Sequence, residues 1–437
     1  MKLNRRQFLR SMGEVSFLAA LGTGRSQTSA DIIGSTSHDI PELKGIDDCM
    51  LDFLHTNEIP GGSLSVVQGG RLVFTKAYGW ADERSRLPMN QEMLFRIASV
   101  SKTITSVAVM RLIETHTSEI TMETPVFRHI RFPGSSPRVT DERLWQITIR
   151  NLLQHSGGWD RKVSGDPMFK PFLIAKALNI ACPPSARDIV RYMMGQPLDF
   201  SPGERQAYSN FGYCVLGRLI EDITGQTYEA YVQAILATIG IHHMRIGASL
   251  ARAPGEVTYY EPAVAPVPPV FPAIVAKQVP IMYGGCNVEA LDSHGGWLAS
   301  TVQLARFIAC LDVPIGPPLL KPSTCEMMYA PPKVSSGVEH AGQPGKSFYA
   351  CGWNVAPQRN GKAHYWHGGH LWGASGRIVR LASGMSYAVM LNRGFPKGPV
   401  DWNNITGDAI TLPLERALTS VKEWPKTDLF PRFIASA

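Results

Sequence analysis

Ser99 and Lys102 stand three residues apart in the stretch 95–113, FRIASVSKTITSVAVMRLI. Residues at this spacing share a helix face, so the hydroxyl and the amine can touch. Ser99 is the only serine of the chain with a lysine three positions on. A lysine in the first turn of a helix is disfavoured by the positive end of the helix dipole, and partial burial there lowers its pKa. An amine in that state can activate a hydroxyl nucleophile. The bland alternative is an N-terminal cap followed by a solvated lysine.

A serine–lysine nucleophile needs a second proton-transfer group and something to orient it. Tyr208-Ser209-Asn210 is the single Tyr-x-Asn of the chain, set between the turn Phe200-Ser201-Pro202-Gly203 and a helix. A tyrosine hydroxyl near a lysine cation can have a lowered pKa and act as base. The Asn210 amide can hold either the lysine or a substrate carbonyl. The alternative is a core tyrosine with a capping asparagine. A third element should be a strand edge presenting a backbone N–H and a polar side chain. His-x-Gly occurs at His155, His294, His340 and His367. His155 ends a helix, His294 precedes one and His340 lies in a polar loop. That leaves His367-Gly368-Gly369-His370 in the β-rich end. Alternation along a strand puts His364 and His370 on one face and His367 on the other, which argues against a three-histidine metal site.

Apolar periodicity supplies the elements around these groups. Ile104, Val107, Ala108, Val109, Met110, Leu112 and Ile113 cover most of a helix circumference, so the helix starting near Ser99 is expected to be buried. Residues 41–57 read as a helix, and 63–68 and 71–78 as a hairpin closed by Gly69-Gly70. Residues 147–155, 188–195, 211–223, 227–236 and 297–311 read as helices, with loops over 120–145. Residues 253–280 are proline-rich and irregular, a surface excursion or lid. From residue 348 the period changes to two. Strands are expected at 348–355, 376–381 and 385–391, then a helix at 404–420 kinked or restarted at Pro413. Strands at both ends with helices between predict a mixed α/β (α+β) fold. Its antiparallel sheet is built from both chain ends (about 42–98 and 290–420), with a mostly helical region (about 99–289) inserted.

The 437 residues are 44% hydrophobic and 18% charged, and suffice for a sizeable core. Of the net charge of +7, a surplus of +4 sits in residues 1–30, so the remainder is close to balanced and no nucleic-acid partner is implied. Asn4-Arg5-Arg6-Gln7-Phe8-Leu9-Arg10 resembles a twin-arginine export signal. The apolar residues 15–21 follow it, then Thr28-Ser29-Ala30 as a cleavage site, so residues 31–437 are read as the mature domain, periplasmic or secreted. The seven cysteines form no Cys-x-x-Cys pair, against a disulfide framework or zinc ribbon.

Together the motifs resemble the serine β-lactamase and penicillin-binding-protein superfamily, most closely its class C-related esterases, D-aminopeptidases and D,D-peptidases. The likeness spans about residues 42–415. It rests on FRIASVSK, on residues 152–158 (LLQHSGG), on FSPGERQAYSN, and on residues 295–300 (GGWLAS). The resemblance implies Ser99 as nucleophile, Lys102 and Tyr208 as the proton-transfer pair, and Asn210 as their orienter. It makes His367, Gly368 and Gly369 the third motif. The backbone N–H groups of Ser99 and His370 become the oxyanion hole. It implies no cofactor and a small ester, amide or peptide substrate. His367 stands where β-lactamases carry lysine. A neutral imidazole there weakens a carboxylate anchor and favours esters over β-lactams. The rival readings are a β-lactamase or D-amino-acid-specific peptidase of the cell envelope, and a silent binding protein of the same fold.

Overall fold

The structure, a computed structural model, describes residues 43–134, 137–261, 264–312, 318–337, 342–394 and 405–434; side chains of 405–409 are outside it. These residues all belong to the compact unit Ile33–Ala437. The export leader lies outside the described residues.

Eight strands form one antiparallel sheet. In chain order they are β1 (Gly61–Gln68), β2 (Arg71–Asp82) and β3 (Leu87–Pro88) from the N-terminal part, then five from the C-terminal part. A smaller sheet lies between them in sequence, made of β4 (Phe95–Arg96), β5 (Arg245–Ile246) and β6 (Trp297–Ala299). The large sheet is completed by β7 (Phe348–Tyr349), β8 (Asn354–Pro357), β9 (Ala363–Leu371), β10 (Ala374–Arg380) and β11 (Met385–Leu391). Its order is β3-β2-β1-β11-β10-β9-β8-β7. The chain ends therefore meet at β1 and β11, with Leu64 opposite Val389 and Val66 opposite Tyr387. β1 is buried on both faces, as period-two alternation between two covered sides requires.

One side of the sheet packs on α1 (Lys44–Thr56), through Ile46, Met50, Phe53 and Leu54. The opposite side faces the core that contains α2 (Ser101–Thr115) and most of the inserted helical region, α3 (Ile149–Leu153), α4 (Pro171–Leu178), α5 (Ala186–Met194), α6 (Asn210–Thr224) and α7 (Tyr228–Ala237). On that side α8 (Thr301–Asp312) is tied to β1, because Thr301 Oγ1 lies 2.8 Å from Ser63 Oγ and 2.9 Å from Ser65 Oγ. α9 (Pro322–Tyr329) follows, and α10 (Ile405–Ser420) packs with α1 through Leu414 and Leu418. Among the described residues no helix is long and apolar enough to cross a membrane.

The expected sheet and inserted helices are present, with local differences. Residues 297–299 form β6, pairing with Phe95 and Arg96, and the helix begins only at Thr301. The strand expected at 348–355 is two short strands, β7 and β8, turned at Gly352 (φ 78°). Apolar periodicity does not mark β9, because paired glycines and polar histidines break its alternation; only the strand placement of residues 364–370 considered for the third motif points to it. α4 and α9 were not expected from the sequence; each begins with a proline, Pro171 or Pro322, in its first turn, where a missing N–H costs nothing. α10 runs through Pro413 without interruption.

Candidate active site

Ser99 lies in a 3-10 turn, Ala98–Val100, that leads directly into α2. The turn is fixed from behind. β4 pairs with β6, Phe95 to Ala299 and Arg96 to Leu298. The fully buried Arg96 donates from Nε to Glu256 Oε1 at 2.9 Å, and to the carbonyls of Met282 and Ala248, both at 2.8 Å. Tyr259 O–H donates to the same Glu256 oxygen at 2.8 Å and accepts the Arg96 backbone N–H at 2.8 Å. The segment read as a surface excursion or lid is thus pinned at 256–259 beneath the nucleophile turn. Ala98 has φ +48°, a left-handed conformation rare for a residue with a Cβ. Such backbone strain persists only where the surroundings over-determine it, and here it presents the half-buried Ser99 hydroxyl.

Two groups converge on that hydroxyl. Lys102 Nζ lies 3.1 Å from Ser99 Oγ and Tyr208 OH lies 2.8 Å from it. Lys102 is fully buried, and its amine also donates to Asn210 Oδ1 at 2.7 Å and to the His294 carbonyl at 2.9 Å. Both of those oxygens can only accept. When the amine is neutral they take its two N–H groups, and the lone pair is left facing Ser99. Burial pushes the Lys102 pKa well below the ordinary lysine value; Asp166 pulls it back up and Arg161 adds to the depression. The sequence expectation for Lys102 holds in direction, but that for Tyr208 does not. Burial pushes the Tyr208 phenol above the ordinary tyrosine value, although its bond to Ser99 and the nearby Arg161 charge act the other way. The arrangement therefore suits Lys102 as base and Tyr208 as a neutral O–H donor.

Asn210, the first residue of α6, holds Lys102 rather than an open substrate position. Its Nδ2 donates to Asp166 Oδ2 at 2.7 Å. His155, with φ +56°, packs its ring at a tilt against both Tyr208 and Tyr349, at ring-centroid distances of 4.3 and 4.5 Å. The Arg161 side chain is exposed and its guanidinium lies 5.0 Å from the centre of the Tyr208 ring.

The third motif lies on β9. β8 pairs with β9 only as far as Trp366, so among the described residues the β8-side edge at 367–371 has no paired strand. The nucleophile turn packs against this stretch, and a Cβ on Gly369 would stand 2.2 Å from the Ile97 carbonyl oxygen. Glycine at 369 is what allows the strand and the turn to approach. His370 is opposite Ser375 of β10. The His367 side chain is buried, 4% exposed, and does not face open solvent. Its Nδ1 is 2.6 Å from the Gly368 carbonyl, which can only accept, so Nδ1 carries the proton. Its Nε2 then accepts from Tyr349 OH at 3.0 Å. Burial, then the Lys102 charge, hold the His367 pKa down to about 3. The ring is neutral, as expected from its identity, but locked into the protein rather than lining the site as a free imidazole.

A profile of the family described as Beta-lactamase matches residues 46–409. The chain belongs to the Beta-lactamase family. It is 32% identical over 192 residues to Esterase EstB of Burkholderia gladioli, covering 42% of this chain and 46% of that protein. It is 27% identical over 179 residues to Protein flp of Staphylococcus aureus (strain COL), covering 41% and 33%. The matches thus span less than half the length of these relatives. Among solved structures it is similar to EstCE1, a hydrolase with promiscuous acyltransferase activity (21% identity, TM-score 0.65, 86% of this chain and 98% of that one). It is also similar to the D-amino acid amidase of Ochrobactrum anthropi SV3 (20%, TM-score 0.64, 87% and 99%). The penicillin-binding protein homologue of Pyrococcus abyssi covers 81% of this chain (21%, TM-score 0.61, 74% of that chain). At these identities the likeness is one of fold, the β-lactamase/transpeptidase arrangement.

Three contributors to the site escaped the sequence reading. Asp166 sits in Gly165-Asp166-Pro167 and looks like an ordinary turn and cap residue, which it also is, accepting the Met168 N–H at 3.1 Å. His294 contributes its backbone carbonyl, to which side-chain identity gives no clue. Tyr349 lies 18 positions before His367, on a separate strand, and belongs to no motif. Only a search for polar partners of His367 could have singled it out. Among the described residues no group of three or more His, Cys, Asp or Glu is placed to hold a metal ion.

Proposed function

We propose that the protein is an exported serine hydrolase that forms an acyl-enzyme on Ser99, with carboxylic esters as its substrates. One observation carries the reading: the half-buried Ser99 hydroxyl is held at once by the buried Lys102 amine and by Tyr208 OH. Ser99 Oγ attacks the carbonyl carbon and its proton passes to the neutral Lys102 amine. The C–O bond to the leaving group breaks as Tyr208 donates its proton to the departing oxygen and is reprotonated from Lys102. Water then attacks the acyl-enzyme by the reverse relay, releasing the acid and restoring Ser99. The backbone N–H groups of Ser99 and His370 are assigned to the oxyanion, supported by the close passage of β9 along the nucleophile turn.

Esters are preferred over β-lactams because the third motif has a neutral, internally bonded His367 where a cation would hold a carboxylate. The test is a panel of p-nitrophenyl esters, nitrocefin and D-amino-acid anilides, with a fluorophosphonate label located by peptide mapping. Ester turnover with the label on Ser99 is expected. Labelling with turnover confined to nitrocefin or the anilides would replace the ester assignment, and neither labelling nor turnover would leave a binding protein. Export rests on Arg5 and Arg6. Changing both to lysine should trap the precursor in the cytoplasm, and normal export of that variant would remove the twin-arginine assignment.

A further inference from the structure

Asp166 is one hydrogen bond removed from Lys102, through Asn210. Asn210 Oδ1 accepts from Lys102 at 2.7 Å while Nδ2 donates to Asp166 Oδ2 at 2.7 Å. A carboxylate can only accept, so it dictates which end of the Asn210 amide faces it, and thereby which end faces Lys102. Reversing the amide would set Nδ2 against the lysine N–H groups and an oxygen against a carboxylate. Asp166 can serve because its other oxygen is already engaged by the Met168 N–H, at the cap of the turn Pro167–Phe169.

The charges around Lys102 make the same residue stand out. Facing or coupled to its amine are Asp166 and Arg161 from the segment before α4, and Tyr208 from the turn before α6. Tyr213 faces it from α6, His155 from the end of α3, His294 from the turn before β6 and His367 from β9. The three imidazoles are neutral, held well below the ordinary histidine value by burial first and the Lys102 charge second. Burial raises the phenols of Tyr208 and Tyr213. Asp166 is thus the one carboxylate among these groups, and Arg161, which has no ion pair among the described residues, is the one other cation.

We propose that Asp166 is a positioning residue of the Ser99 centre: it fixes the direction of the Asn210 amide and supplies the counter-charge to Lys102. It acts through Asn210 and does not touch the reacting atoms. The proposal rests on the hydrolase reading above, with neutral Lys102 as the base. The reactive form is then lost as pH falls through the Lys102 pKa. An anion at 166 favours the ammonium and raises that pKa, so removing the anion lowers it and moves the acid limb to lower pH.

The experiment follows the rate at which a fluorophosphonate labels Ser99 across pH, which requires no knowledge of the natural substrate. Asp166→Asn is the decisive variant, since asparagine caps a helical turn as well as aspartate does, while it removes the charge and replaces one of the two acceptor oxygens by a donor. Its labelling rate on the high-pH plateau is expected to fall roughly tenfold, from loss of a charge-assisted hydrogen bond. Its acid limb is expected to move down by about half to one pH unit. Asp166→Glu keeps the charge while displacing the carboxylate, and should label slowly with the limb near its original place. An unchanged limb in Asp166→Asn would overturn the proposal, as would an equal shift in Asp166→Glu, which would trace the effect to the loop rather than the charge. If the unmodified protein is labelled and the variants match it at every pH, the hydrolase reading stands and Asp166 is only a cap. If the unmodified protein is not labelled at all, the hydrolase reading fails and this proposal with it.

Discussion

Arg96 and Glu256 form an ion pair, Nε to Oε1 at 2.9 Å, with neither side chain exposed to solvent. The pair lies just upstream of Ser99 and joins the nucleophile approach to an irregular segment 160 positions away. Taking both charges out of water is costly, and it is offset here by further bonds from Arg96 to Met282 and Ala248 and from Tyr259 to Glu256. Breaking one partner leaves the other buried and uncompensated. Glu256→Ala should therefore destabilise the fold by about 3–5 kcal/mol in urea titrations. Arg96→Met combined with Glu256→Leu should cost much less than the two single changes added together. Additive losses would mean that the residues do not act as a pair.

Ser99 and Lys102 should behave as a unit. Ser99→Ala and Lys102→Ala are each expected to lower turnover by several orders of magnitude without loss of fold, and the double variant to be no worse than either. Turnover in Ser99→Ala above roughly a tenth of the original rate would exclude Ser99 as nucleophile. In the unmodified protein kcat/KM should fall on acidification through a pKa well below that of an ordinary lysine, because burial disfavours the Lys102 ammonium.

Ser99 with Lys102, and Tyr208 with Asn210, were legible because their chemistry depends on near neighbours in sequence at fixed spacing. That the sheet draws on both chain ends was legible because both carry alternating apolar residues and turn glycines; that β1 and β11 are the strands that meet was not. What escaped was carried by distant or side-chain-blind contacts. Asp166 reaches Asn210 across 44 positions, Tyr349 reaches His367 from another strand, and the His294 carbonyl has no sequence signature at all. The direction of the Tyr208 shift was misread for a related reason: proximity to a lysine was visible in the motif, but the depth of burial that outweighs it was not.

Three buried histidines and the half-buried His370 make stability depend on pH in one direction. Burial holds His367 down to about 3 and His370 to about 4, and His155 and His294 well below the ordinary value. In the unfolded chain each takes a proton near pH ~6.5. The unfolded state thus binds more protons below that point, and stability rises with pH across the window. Unfolding free energy should be greatest above pH ~6.5 and should decline as pH falls toward the folded-state values near 3 and 4. His367→Gln should make the slope between about pH 6 and 4.5 shallower. An identical slope in that variant would show that His367 is free to protonate in the folded protein. His367→Lys should likewise lose stability, since it buries a second ammonium beside Lys102, and should not raise the preference for nitrocefin over a neutral ester. A several-fold gain for nitrocefin would mean the side chain at 367 reaches the substrate after all.

Gly368 and Gly369 are adjacent, yet they should respond oppositely to the smallest possible change. A Cβ on Gly368 would find its nearest neighbour, the Gly376 carbonyl, at 4.0 Å, an ordinary contact. A Cβ on Gly369 would stand 2.2 Å from the Ile97 oxygen and 3.2 Å from Val100 Cγ2. The first of these is backbone, so no rotamer change can relieve it. Ile97 is anchored through its own N–H to the Trp297 carbonyl at 3.0 Å, so β9 rather than the nucleophile turn must give way. Moving β9 would shift the His370 N–H from the oxyanion position proposed for it above. Gly369→Ala is therefore expected to lose at least about 2 kcal/mol of stability, and activity to fall by more than the folded fraction accounts for. Gly368→Ala should stay within about 1 kcal/mol, the modest entropy effect of replacing a strand glycine, and should keep most of its activity. Measuring kcat/KM and the urea midpoint for both variants checks the contrast. Equal behaviour would mean that β9 does not press against the turn that carries Ser99, and the oxyanion assignment to His370 would lose its support.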